Sequence, residues 1–111
     1  MVAWLQIKLY IQSDLYISFD PSKSARNETL RGLPFSLVEE FDFQSARIIV
    51  DARKDYGETR FFAIGKIRNR LHAVVFTETE TGIRVISLRK ANSREARLHE
   101  QATRQTCSCS D

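Results

Sequence analysis

Residues 60–90 read RFFAIGKIRNRLHAVVFTETETGIRVISLRK, and the reading of that stretch decides the fold. Arg60 to Ile67 is an apolar run, Arg68-Asn69-Arg70 is a tight connection, and Leu71 to Thr77 is a second run. Glu80-Thr81-Gly82 supplies a hairpin turn, and Ile83 to Arg89 closes the set. One more short run, Arg47-Ile48-Ile49-Val50-Asp51, precedes them across a turn at Lys54-Asp55-Tyr56-Gly57. Four runs joined by short loops predict a twisted four-stranded antiparallel meander over residues 46–90. Ile49, Phe62, Ile64, Val74, Phe76, Ile86 and Leu88 are expected to supply most of the core.

Upstream, Asp20-Pro21 opens a helix, because Asp can cap free N–H groups and Pro fits the first turn. The segment to Arg31 is polar and weakly amphipathic, and Gly32 offers a left-handed stop. Ser36 and Glu39 form a capping box that predicts a second short helix over about 37–43, with Leu37, Val38 and Phe41 on one side. Downstream, Asn92 with Glu95 three residues later opens a charged helix to about Thr103. Helices, then a sheet, then a helix make the class α+β. The expected layout is residues 1–17 as an N-terminal extension or edge strand, 18–103 as one domain, and 104–111 as a flexible tail. Leu5, Ile7, Leu9 and Ile11 alternate with polar or aromatic residues, as an edge strand would.

The 111 residues suffice for one domain. No apolar run approaches the roughly 18 residues needed to cross a membrane, and the opening stretch lacks the basic start and cleavage site of a signal peptide. Cys107 and Cys109 cannot build a disulfide framework, so a reducing, cytoplasmic setting is expected. No ligand set has metal-binding spacing, and no cofactor is expected. Lys+Arg 17 against Asp+Glu 14 give a net charge of +3. The excess is concentrated: residues 66–111 carry 9 basic and 5 acidic side chains. Such a bias suits a polyanion-facing surface, although a solvated basic face explains it as well.

The densest group of chemistry-bearing residues is Asp51, Arg53, Asp55, Tyr56, Gly57, Glu58 and Arg60, spanning a turn where functional groups often stand. A second group is Arg84, Arg89 and Lys90 on the last strand. An antiparallel sheet can bring the two together. Arginine offers phosphate a planar fork of donors and a permanent charge. RNA cleavage needs a group to take the 2′-hydroxyl proton, cations for the crowded phosphate and a donor for the leaving oxygen. The same residues could instead pair as surface salt bridges. Parity matters here. In an unbroken strand Arg84 shares a face with Ile86 and Leu88, while Arg89 shares one with Val85 and Ser87, so Arg89 is the better candidate unless a bulge re-aims Arg84.

Phe19-Asp20-Pro21-Ser22-Lys23, Asn27, Gly32 and Phe35 resemble the opening of the BrnT family of toxins. The resemblance tightens in Asp51-Ala52-Arg53-Lys54-Asp55-Tyr56-Gly57-Glu58-Thr59-Arg60, and again in Arg84-Val85-Ile86-Ser87-Leu88-Arg89-Lys90-Ala91 with Glu95 beyond. It covers roughly residues 18–100. It implies a RelE-like fold and the toxin of a type II toxin–antitoxin pair, a metal-independent endoribonuclease that inhibits translation. The implied partner is a BrnA-like ribbon-helix-helix antitoxin, with operator DNA bound only through the antitoxin complex and no membrane involved. Carried onto this chain, the implied catalytic residues are Arg53, Glu58, Arg60 and Arg89, and Tyr56, Arg84 and Lys90 are implied to bind substrate. Arg60 and Arg89 are assigned to phosphate, and Glu58 to proton transfer or to orienting an arginine. The chain departs from the family pattern at Arg31, where His is frequent, at Thr79, where Arg is frequent, and at His99, where Tyr is common. Two readings therefore stay open: an active enzyme, or a catalytically weakened homologue that binds antitoxin in operon autorepression.

Overall fold

Each apolar run becomes a strand, and the short connections leave no alternative to antiparallel neighbours. The computed structural model describes residues 15–51 and 57–108, with side chains described as far as residue 100. The elements are β1 (Tyr16–Phe19), α1 (Pro21–Arg31), a 3-10 helix (Phe35–Glu40), β2 (Arg47–Asp51), β3 (Arg60–Ile67), β4 (Arg70–Glu78), β5 (Gly82–Lys90) and α2 (Ser93–Ser108). The strand order is β1-β5-β4-β3-β2. Strands β2 to β5 form the expected antiparallel meander. The β3–β4 turn places Arg68 at φ 50° and Asn69 at φ 69°, the two left-handed residues of a type I′ hairpin.

The architecture is α+β but differs from the sequence expectation in three ways. First, the sheet is five-stranded and mixed, because β1 adds to β5 in parallel, Tyr16 opposite Gly82 and Phe19 opposite Val85. Four residues are too few to stand out as a strand in the sequence. Their neighbour Gly82 reveals the fit: a Cβ there would lie 1.8 Å from the Tyr16 carbonyl oxygen. Residues 5–11, read as an edge strand, lie outside the described residues. Second, the described residues before β2 hold one α-helix and one 3-10 helix. No side chain caps the 3-10 helix, so the Ser36–Glu39 capping box does not form. With three residues per turn, the buried stripe is Phe35, Val38 and Phe41, and Leu37 is only partly buried. Third, α2 runs to Ser108, five residues beyond its expected end and into the stretch expected to be a flexible tail.

Register divides the side chains between two faces. On one lie Val74, Phe76, Ala63, Ile83, Val85 and Leu88, all buried, against Phe35, Val38, Phe41 and Phe43. Phe43 meets Phe41 at 4.7 Å and Phe76 at 5.8 Å between ring centroids, both edge-on. Helix α1 joins this layer through polar groups. Ser24 Oγ accepts from the Phe35 amide, and Asn27 Nδ2 donates to the Leu33 and Leu88 carbonyls. Asp20 and Gly32 cap α1 as expected, the first at 2.8 Å from the Ser22 amide, the second left-handed at φ 71°.

Helix α2 covers part of the other face, packing on β2 and β3. Its N-terminus is a closed capping box: the Asn92 amide donates to Glu95 Oε1 and the Glu95 amide to Asn92 Oδ1. Four residues expected in the main core are not there. Ile49 pairs with Phe62 and Phe62 with Val75, on the face opposite Phe76; Ile49 is 49% exposed and Phe62 half-buried. Ile86 is also half-buried. Ile64 is buried, but on the α2 side of the sheet.

Candidate active site

One irregularity builds the site. Val75 pairs with Ser87, yet the next β4 residue, Phe76, pairs with Val85. Ile86 is therefore the extra residue of a bulge in β5. A bulge reverses the alternation on one side of itself. Arg84, Ser87 and Arg89 consequently share one face, and Ile83, Val85 and Leu88 the other. Uninterrupted parity had set Arg84 with Ile86 and Leu88, and Arg89 with Val85. The structure corrects both groupings, and the bulge is the reason.

Arg84 stands opposite Thr77 on β4, which stands opposite Arg60 on β3. Glu58 closes the row. Its Oε2 is 3.3 Å from Arg60 Nε and 3.3 Å from Arg84 Nη2. Thr77 is buried beneath, its hydroxyl donating to the Thr59 carbonyl, which pins the chain entering β3. A carboxylate that accepts from two guanidinium groups is held in one orientation. The triad carries a net positive charge and faces solvent, since Arg84 is half exposed. Arginine forks held this way are ready to receive a phosphate.

Arg89 lies on the same face, two residue rows away, about 13 Å along β4 at the usual strand rise. Its two terminal nitrogens donate to the two Glu95 oxygens at 2.8 and 2.7 Å, and its guanidinium lies 5.9 Å over the Phe62 ring. The Arg89 guanidinium holds the Glu95 carboxyl below its ordinary value, with partial burial opposing and the Asn92 amide assisting. Glu95 thus ties α2 to β5 through Arg89 and to its own helix start through Asn92. Arg89 is half-buried and Glu95 buried.

The other candidates separate. Lys90 is exposed and pairs with His72, so it projects to the opposite face from Arg89. Arg53 and Tyr56 lie outside the described residues. His72 is buried, and its Nδ1–H donates to the Arg70 carbonyl. Desolvation lowers its pKa, which suits a packing residue held neutral. The three departures each have a structural contact. Arg31 donates to Asn27 Oδ1 and the Leu88 carbonyl, Thr79 Oγ1 accepts from the Gly82 amide, and His99 donates to the Ser45 carbonyl. Glu95 is a site residue that sequence reasoning noted only as part of the resemblance and as a helix cap. The spacing Arg89 to Glu95 across a capping box was the available signal. Among the described residues there is no cluster of three or more His, Cys, Asp or Glu that could hold a metal, and no helix is long and apolar enough to cross a membrane.

A family model described as the ribonuclease toxin, BrnT, of type II toxin–antitoxin systems matches residues 19–95. No curated protein and no solved structure matches the chain.

Proposed function

The chain belongs to the BrnT family of ribonuclease toxins of type II toxin–antitoxin systems, and from that membership we propose that it is a metal-independent endoribonuclease with its phosphate site at Arg84 and Arg60. The observation that carries this reading is the β5 bulge, which turns Arg84 onto the face of Arg60 and lets Glu58 bridge them. Arg60 and Arg84 receive the scissile phosphate and stabilise the charge that builds on it in the transition state. Glu58 acts by orienting the two forks. Arg89, braced by Glu95 and Phe62, supplies a third cation on the same face, and the family resemblance adds Arg53 and Tyr56 as residues to test.

The antitoxin partner that the family implies is proposed to be a BrnA-like ribbon-helix-helix protein, through which operator DNA is bound. The chain acts in the cytoplasm, where cleaved RNA arrests translation. The test is cleavage of total RNA by the purified chain in the presence of a chelator, for the parent and for Arg84→Ala. Cleavage by the parent and its loss in the variant are expected. An inert parent that still binds antitoxin would instead favour the weakened-homologue reading.

A further inference from the structure

β1 covers only the first half of β5. Its last paired residue is Phe19, opposite Val85. Beyond that point the edge of β5 is met by α1, and a groove of about 270 Å³ opens between them, lined by Lys23, Arg26, Arg31, Leu30, Ile86 and Ser87. Its charged lining is wholly basic. None of Lys23, Arg26 and Arg31 makes an ion pair with a described residue. Lys23 and Arg26 stand three apart on α1 and are exposed, so they lie on neighbouring positions of one helix face. Arg31 is anchored along the groove by Asn27 and the Leu88 carbonyl. Leu30 is 74% exposed beside them, an apolar surface on which a base can rest.

Ser87 belongs to two places. It lines the groove, and it stands between Arg84 and Arg89 on the candidate-site face. The groove therefore runs into the row of site arginines around the open edge of β5, and the Ile86 bulge forms the corner. We propose that this groove is a second RNA subsite, holding the phosphates of the single strand next to the cleaved one through Lys23, Arg26 and Arg31. The inference rests on the ribonuclease reading and names where the flanking substrate lies. The groove suits a single strand because its cations follow one backbone, and because Leu30 offers a face to an unstacked base.

The experiment is fluorescence anisotropy with a labelled, fully 2′-O-methylated RNA oligonucleotide, which lacks the hydroxyl needed for cleavage. Binding is measured from 50 to 200 mM salt for the parent, Lys23→Ala/Arg26→Ala and Arg97→Ala. Arg31 is left in place because it fastens α1 to β5. Two lost phosphate contacts should weaken binding about tenfold or more and lower the salt slope by about 1.4. Melting temperature should not change, and Arg97→Ala should bind as the parent does. With unmodified RNA, the double variant should need more substrate for half-maximal rate while its maximal rate is kept. Unchanged affinity and salt slope in the double variant overturn the subsite, even when the parent cleaves RNA. Weakened antitoxin binding with intact RNA binding overturns it too, because the groove then serves an acidic protein segment. A parent that binds RNA through the groove without cutting it upholds the subsite and overturns the ribonuclease reading instead.

Discussion

At the scale of single residues, Arg84 and Arg89 differ in what holds them, and their variants should differ accordingly. Arg84 is half exposed, and among the described residues its side chain pairs with Glu58 alone, so Arg84→Ala should melt close to the parent. Its removal takes a cation from the phosphate and should slow cleavage about a hundredfold. Arg89→Ala should also abolish cleavage, and Arg89→Lys should be poor because Lys lacks the two-pronged fork. By sequence pattern alone, losing Arg89 is expected to cost little stability, since no core position needs it. The bidentate pair with buried Glu95 changes that expectation to a loss of about 1 kcal/mol. Cleavage of total RNA and thermal melting of each variant check these outcomes, with Arg97→Ala as the neutral control. An Arg84→Ala variant that cuts as fast as the parent removes the proposed phosphate site.

The same pair sets an acid response. Glu95 has its folded pKa depressed below the ordinary 4.5. A depressed carboxyl contributes stability that is fully present above its unfolded value and is lost as pH falls through the folded one. Melting temperature should therefore fall as pH drops below about 4.5, and Glu95→Gln should show a shallower fall and a lower melting temperature at neutral pH. A Glu95→Gln curve parallel to the parent's would show that the pair does not contribute. Asp42, held low chiefly by the Ser45 hydroxyl, and Glu40, held low chiefly by Arg68, contribute to the same acid window in both proteins.

At the scale of elements, β5 is the part on which the site depends. Its bulge is one residue, Ile86, half-buried at the corner between the groove and the site face. Inserting one residue between Val75 and Phe76 gives Ile86 a partner and restores strict alternation, so Arg84 must enter the core or β5 must slip against β1 and β4. Either outcome should lower the melting temperature more than Ile86→Ala does and abolish cleavage. Circular dichroism melting with the total-RNA assay reads both. An insertion variant that folds and cleaves as the parent does would show that the bulge is not what places Arg84. Helix α2 is the second dependent element. Its start is fastened by the Asn92–Glu95 box and its buried side by His99 to the Ser45 carbonyl, so it holds Glu95 beneath Arg89 instead of swinging free.

At the scale of the whole molecule, the sheet separates two tasks. One face is filled by the 3-10 helix and its aromatic residues. The other carries the arginine row and α2, and the two meet around the open edge of β5. A chain of a ribonuclease-toxin family should be harmful on its own. Induction of the chain alone should arrest growth, and co-expression with the product of an adjacent gene for a small ribbon-helix-helix protein should relieve it. The two should co-purify, with an association that weakens as salt rises. If the isolated chain is well tolerated, monomeric and indifferent to that neighbour, the proposed partner loses its support.

The sequence by itself determined the meander, the caps of α1 and α2, and the arginine, glutamate and tyrosine residues worth testing. Those are short-range properties: turn residues, apolar runs and cap spacings act within a few positions of the chain. The family resemblance over residues 18–100 was legible for the same reason, since its motifs are local. Only the tertiary structure decided which arginines face together. Alternation predicts a face only while a strand stays regular, and one unpaired residue at Ile86 inverts everything on its far side. It also decided that β1 joins β5 in parallel, that Ile49 and Phe62 leave the main core, and that Glu95 braces Arg89. Each of these depends on which strand lies beside which, and in what register, a choice made by packing between segments far apart in the chain.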